Sequence, residues 1–373
     1  MHVTPQSQGV TPPPARLAWI DMARGFCVIA VVLLHVGLFH VAPLAPDPHG
    51  RPLSRAWVLF NEAVLADLRM PLLLLLSGYL ARTKVREGLS YVRTRVAILT
   101  NLHLYVVWTL VFFALGVLFY PSLGSRFTGW SIPGLLASLL YPQTGPLWFV
   151  YVLFVSLAVL AAARRVPTPV VLLGFFAVGW AAIALTHESA GLPRAIFYAF
   201  GALLGERLVR LADSRVAALV SLVAYGGLMA AIEKVDPAYS YPVIVLAGLC
   251  AAVAFMAISK VLARVRFLRE PGAWIGRRTL GVYVLHWPLV ALLTWVGTRR
   301  PEWFRPMLGS QVVDVAYPIL VTAAIVLLSI ALERVLRSVG LGDLFDPPRW
   351  IVDRVSRSAR HTREQPQSHP RAA

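Results

Sequence analysis

The sequence predicts an all-α, polytopic transmembrane helical bundle of about ten helices, with the N-terminus and the C-terminus both inside. Three observations lead there. Hydrophobic residues make up 58% of the 373-residue chain and charged residues only 14%, where a soluble domain carries roughly 25% charged residues. The apolar residues gather in runs close to the length of a bilayer-crossing helix, about 20 residues each. Arginine and lysine concentrate in alternate connections between those runs, as they do in loops on the cytosolic side of a membrane.

The elements follow in chain order. Residues 1–15 are polar and proline-rich and are expected to be a disordered cytosolic tail. They lack the basic start of a signal peptide, and the apolar run that follows is too long and contains Arg24, so it reads as a retained helix. Ten apolar segments span 17–41, 56–82, 96–120, 146–163, 168–186, 194–210, 216–233, 241–262, 273–297 and 313–336. The stretch 121–145 is the longest external connection. Its segment IPGLLASLLY is too short to span and is expected to lie in the interface or fold back. Residues 16–340 form one membrane domain, and 341–373 form a basic cytosolic tail.

With the N-terminus inside, the cytosolic connections are 82–95, 164–167, 207–215 and 260–278. They carry Arg82, Lys84, Arg86, Arg93 and Arg95, then Arg164 and Arg165, then Arg207, Arg210 and Arg215, then Lys260, Arg264, Arg266, Arg269, Arg277 and Arg278. The opposite side holds fewer cations. The net charge of +17 therefore marks topology and excludes a nucleic-acid partner. Cys27 and Cys250 both lie in apolar runs, which argues against a disulfide framework. Metal-ligand spacing, a phosphate-binding glycine loop and a serine nucleophile elbow are all missing from the sequence, so no metal is expected.

Ionisable groups inside membrane helices cost about 2.5–3.5 kcal/mol each on insertion scales and mark function by default. The first helix holds Asp21, Arg24 and His35. Arg24 and His35 are eleven residues apart, three turns, so they share one face about 16 Å apart along the axis. Asp21 lies one turn from Arg24 and can pair with it. The second helix carries Asn61, Glu62, Asp67 and Arg69. Glu62 is expected near the depth of His35, where a carboxylate would orient an imidazole acting as base. Ser77 and Gly78 read equally well as close helix packing. The third helix has Asn101 and His103 near its cytosolic end, and the ninth has Tyr283, His286 and Trp287 near mid-membrane. Pro288 frees a carbonyl that could partner His286. Glu206 and Glu333 are expected to pair with Arg207, Arg210, Arg334 or Arg337 at helix ends.

Four stretches carry a resemblance: WIDMARGFCVIAVVLLH, MPLLLLLSGYL, GPLWFVYVLF and IGRRTLGVYVLHWPLV, with ALERVLR as a fifth. Together they are similar to the acyltransferase-3 family of membrane acyltransferases, sugar and glycolipid O-acetylases among them. The resemblance implies transfer of an acyl group from cytosolic acyl-CoA, acetyl-CoA first of all, to a hydroxyl of an extracytoplasmic sugar, polysaccharide or glycolipid. It implies essential roles for His35 and Arg24. The family often has two arginines with two residues between them after the second helix; here only Thr94 separates Arg93 from Arg95.

On this reading His35, Arg24 and Glu62 are the catalytic residues, with His35 as general base or transient acyl carrier and Arg24 stabilising the thioester carbonyl or the leaving thiolate. Asp21, Arg69, Ser77, Trp148, Tyr283 and His286 are expected to contact substrate. Arg93, Arg95 and His103 are expected to hold the donor, whose phosphates favour arginine. Two other classes stay open: a transporter, since buried charges also mark transport paths, and a non-catalytic partner of a polysaccharide assembly machine.

Overall fold

A computed structural model describes residues 15–44, 51–61, 65–123, 131–141, 145–186, 190–232, 235 and 240–364. Among the described residues there are helices and turns and no strand. Inside a bilayer every main-chain N–H and C=O must be paired within the protein, and a helix does this for itself.

The chain opens with α1 (Ala15–His35), which continues into a π-helical turn, Val36–Val41. Then come α2 (Pro52–Leu59), α3 (Ala66–Glu87), α4 (Val92–Leu123) and the short α5 (Ile132–Leu140). A 3-10 turn, Gly145–Leu147, leads into α6 (Trp148–Ala162). Four further helices are α7 (Thr168–Thr186), α8 (Ala195–Leu211), α9 (Arg215–Ile232) and α10 (Tyr241–Leu262). The chain continues through α11 (Arg266–Gly276), α12 (Thr279–Arg299), the one-turn α13 (Pro301–Phe304) and α14 (Gln311–Ser338). It ends with α15 (Arg349–Glu364).

The fold is a helical membrane bundle. Seven helices among the described residues are long and apolar enough to cross a bilayer: α1 with its π turn, α4, α7, α9, α10, α12 and α14. Apolar α6 is shorter, and α3 and α8 pack between the others. Each of the ten apolar runs thus contains a helix. In the most apolar stretch of α12, 56% of residues are buried, against 6% for α9. This puts α12 in the centre and α9 at the lipid-facing rim.

Small residues let the central helices touch backbone to backbone. A Cβ on Gly78 would strike the carbonyl of Tyr198, and one on Gly201 would strike that of Leu75, so α3 and α8 lie in direct contact. Gly25 and Gly276 do the same between α1 and α11, against the main chain of Gly272 and Asp21. Gly78 therefore serves close packing. The leucine run Leu73–Leu76 is fully buried and forms the core beside it.

Three stretches differ from the sequence expectation. The run 56–82 holds two helices: α2 ends at Leu59, Phe60 and Asn61 take a π turn, and α3 starts at Ala66, with residues 62–64 outside the described ones. Arg69 Nη1 donates to Asn61 O beside this break and to Ala30 O inside α1, each at 3.3 Å. The connection 260–278 contains α11, whose face of Gly272, Ala273 and Gly276 is buried while Phe267 is 82% exposed. The basic end of the chain contains α15, which packs on α4. Residues 1–14 and 365–373 lie outside the described residues.

At the arginine-rich face Glu206 accepts from Arg82 and Arg86, each at 3.1 Å. Its carboxylate is held across helices by α3, while Arg210 Nε donates to the main-chain oxygen of Glu206 at 3.3 Å. Glu333 pairs within its own helix with Arg337 at 3.0 Å. At the opposite face the buried Asp314 gathers Arg51, Ser54 Oγ at 2.7 Å and Gly309 N at 3.1 Å. Cys27 and Cys250 are both free.

Candidate functional site

Two polar centres lie along α1. The first surrounds Arg24 and opens towards the arginine-rich face. Arg24 pairs with Asp21 at 3.8 Å through Nη1, while its Nε is buried with no hydrogen-bond partner. The guanidinium lines a cavity of about 180 Å³ together with Ser77, Lys84, Asn101, Phe149, Leu153, Tyr198 and others. Ligand pockets for drug-sized molecules run to about 300–1,000 Å³. This cavity therefore fits a slender arm and not a nucleotide. Ser77 Oγ donates to Leu73 O at 2.7 Å, bonding back along its own helix. Its place on the wall comes from the same small-residue packing that seats Gly78.

The second centre is a pair of imidazoles. His35 ends α1, and His286 projects from α12. His35 Nδ1 and His286 Nε2 are 2.8 Å apart. His286 is fully buried, and its Nδ1 donates to Val282 O at 3.1 Å. Pro288 frees the carbonyl of Val284, yet His286 uses that of Val282. A helical side chain leans towards the preceding turn and reaches residue i−4, whereas i−2 faces away. The Trp287 ring meets His35 edge-on, centroids 5.1 Å apart.

Phe149 and Tyr283 stand between the two centres. Phe149 lies on the cavity wall, and its ring centroid is 4.9 Å from that of Tyr283. Tyr283 in turn is 5.7 Å from His286 and donates its hydroxyl to Pro146 O. Arg24 and His35 thus share a helix face, but among the described residues only Arg24 lines the cavity. The cavity and the imidazole pair are thus separate, with two aromatic rings between them.

The other expected site residues fall in different places. Arg69 is 1% exposed and bonds main-chain carbonyls, so a substrate cannot reach it in this conformation. Trp148 is half-buried, with the Arg194 guanidinium 5.9 Å from its ring. Arg93 is exposed, while Arg95 Nε donates to Leu89 O. His103 Nε2 lies 2.6 Å from Asp343 O. It faces the segment after α14, on the side of α4 away from Asn101. Glu62 lies outside the described residues, as does the side chain of Asp67.

Sequence reasoning did not single out Lys84, Asn101, Phe149 or Tyr198 as site residues. The signal for Asn101 was available. Residues two apart on a helix point roughly 200° apart, so Asn101 and His103 cannot face the same cavity, and only Asn101 continues the line of Ala97 along the wall.

Residues 17–334 match the acyltransferase domain of the acyltransferase-3 family. The chain belongs to that family, and its apolar helices make it a multi-pass membrane protein. It is similar to the inner membrane protein YcfT of Escherichia coli (strain K12), 36% identical over 66 residues. That match covers 17% of this chain and 18% of the relative's own length. No solved structure matches the chain.

Proposed function

We propose that this chain is an O-acyltransferase that takes an acyl group, acetyl in the first instance, from cytosolic acyl-CoA. It delivers the group to a hydroxyl of an extracytoplasmic sugar, polysaccharide or glycolipid. The arginine-rich face is the cytosolic one by the positive-inside rule. A plasma-membrane location accords with the name of the inner membrane relative.

The observation that carries the reading is Arg24, a guanidinium in the wall of a narrow cavity whose Nε is a buried donor without an acceptor. A buried unpaired donor costs about 1–3 kcal/mol, and a small turn of the side chain towards a ligand carbonyl in the cavity would remove that cost. A thioester arm supplies carbonyls and matches the cavity's slender volume. Arg24 and His35 are roughly 16 Å apart along α1, so one carbonyl cannot touch both. Arg24 therefore receives the donor arm, and the thioester passes on between Phe149 and Tyr283 to the imidazole pair. There His35 takes the proton of the acceptor hydroxyl. The oxygen bonds to the acyl carbon, the carbon–sulfur bond breaks, and the proton ends on the thiolate as free CoA. Asp21 keeps Arg24 directed at the cavity.

The test is transfer of labelled acetyl from acetyl-CoA to envelope glycans by the purified protein in lipid nanodiscs. His35→Ala is expected to lose at least about 10²-fold in kcat. Full transfer by a stably inserted His35→Ala protein overturns the reading. Solute flux without CoA release points instead to a transporter.

A further inference from the structure

We propose that His286 is a positioning residue that fixes the tautomer of His35, so that the lone pair of the base always sits on Nε2. The inference rests on the reading of His35 as the base.

The geometry leaves little freedom. The two ring planes are inclined by only 3°, their centroids are 5.1 Å apart, and the facing nitrogens are 2.8 Å apart. Parallel rings at that centroid distance bring nitrogens so close only if both nitrogens lie on the line joining the centroids. The rings therefore meet edge to edge in one plane and are not stacked face to face. Imidazole lone pairs and N–H bonds also lie in the ring plane, so the hydrogen bond is well aligned.

The direction of that bond follows from a carbonyl. A neutral imidazole has one donor and one acceptor nitrogen. Nδ1 of His286 lies 3.1 Å from Val282 O, and a carbonyl only accepts, so this nitrogen bears the hydrogen. Nε2 of His286 is then the acceptor. His35 Nδ1 must donate to it, and His35 Nε2 is left with the lone pair. His286 is fully buried, so water does not compete for its nitrogens. Phe39 and Trp287 flank the His35 ring at 5.9 and 5.1 Å and resist its flipping.

This order suits the reaction. When His35 Nε2 takes the acceptor's proton, the ring becomes an imidazolium, and its Nδ1–H bond to His286 becomes charge-assisted and stronger. When Nε2 returns the proton to the thiolate, the starting arrangement is restored. His286 touches no reacting atom and neither gains nor loses a proton.

The tautomer is read directly by nitrogen-15 NMR of histidine-labelled protein in nanodiscs. His35 is expected to be protonated at Nδ1 and bare at Nε2 in the wild type, and a mixture in His286→Phe. In acetyl transfer His286→Phe, which keeps a ring and loses the acceptor, is expected to lower kcat by on the order of 10²-fold with KM for acetyl-CoA near the wild-type value. His286→Gln, whose Oε1 can accept from His35 Nδ1, is expected to recover about tenfold of that loss. Wild-type kcat in His286→Phe, no recovery in His286→Gln, or a wild-type His35 protonated at Nε2 each overturns the proposal. Undiminished transfer by His35→Ala would instead remove the base reading, and the NMR result on His35 would stand apart from it.

Discussion

Arg69 Nη1 lies 3.3 Å from the main-chain carbonyl of Asn61, where the chain has left α2 and not yet entered α3. The same nitrogen reaches Ala30 O on α1. A cation at membrane depth is thus spent on tying α1 to the main chain beside the break. Arg69→Met removes these bonds and is expected to destabilise the protein by about 1–3 kcal/mol, while the folded fraction keeps its KM for acetyl-CoA. Thermal unfolding in detergent beside steady-state kinetics decides it. A raised KM at unchanged stability would return Arg69 to the substrate site.

The glycines of the bundle divide into two kinds. Gly276 abuts the carbonyl of Asp21, whereas Gly226 has open space around it. Gly276→Ala must force α11 away from α1 and is expected to cost at least about 1–3 kcal/mol. Gly226→Ala adds helix propensity and is expected to stabilise by up to about 1 kcal/mol. Equal melting temperatures for the two variants would refute the contact.

Asn101 faces the cavity and His103 faces away from it. Asn101→Leu is expected to raise KM for acetyl-CoA about tenfold, a loss near 1.4 kcal/mol. His103→Ala gives up one hydrogen bond, about 1 kcal/mol of stability, and leaves KM unchanged. Titration of initial rates against acetyl-CoA separates them. The reverse pattern would mean the donor enters on the other side of α4.

Phe149 lines the cavity and packs on Tyr283 behind it. Phe149→Ala is expected to let water as well as acceptor reach the thioester, so CoA release should continue with the acceptor omitted. A thiol-detection assay with and without acceptor measures this. Strict dependence on acceptor in the variant would show that the rings do not govern access.

Much of this architecture was legible in the sequence, because bilayer length and the need to satisfy the main chain leave helices as the answer for long apolar runs. The break between Leu59 and Ala66 was not legible, since no glycine or proline marks it and Asn61 and Glu62 read as polar groups on one continuous helix. Helix α11 was hidden by its arginines and by Pro271, which read as a loop until Gly272 and Gly276 are seen against α1. At the site, helical spacing correctly put Arg24 and His35 on one face. It could not show which helix faces them. Matching depth suggested Glu62 as the partner of His35; that residue lies outside the described ones, and the partner seen is His286, 251 residues away. Periodicity reports a residue's direction from its own axis and says nothing of what stands opposite.

The two aromatic rings also bear on bioenergetics. An unbroken file of polar groups from one aqueous phase to the other would conduct protons, and each elementary charge crossing is worth about 2.3 kcal/mol per 100 mV of membrane potential. Phe149 packed on Tyr283 interrupts that file with hydrocarbon and acts as electrical insulation. An acyl group can be handed through such a septum while the cell's ion gradients stay charged.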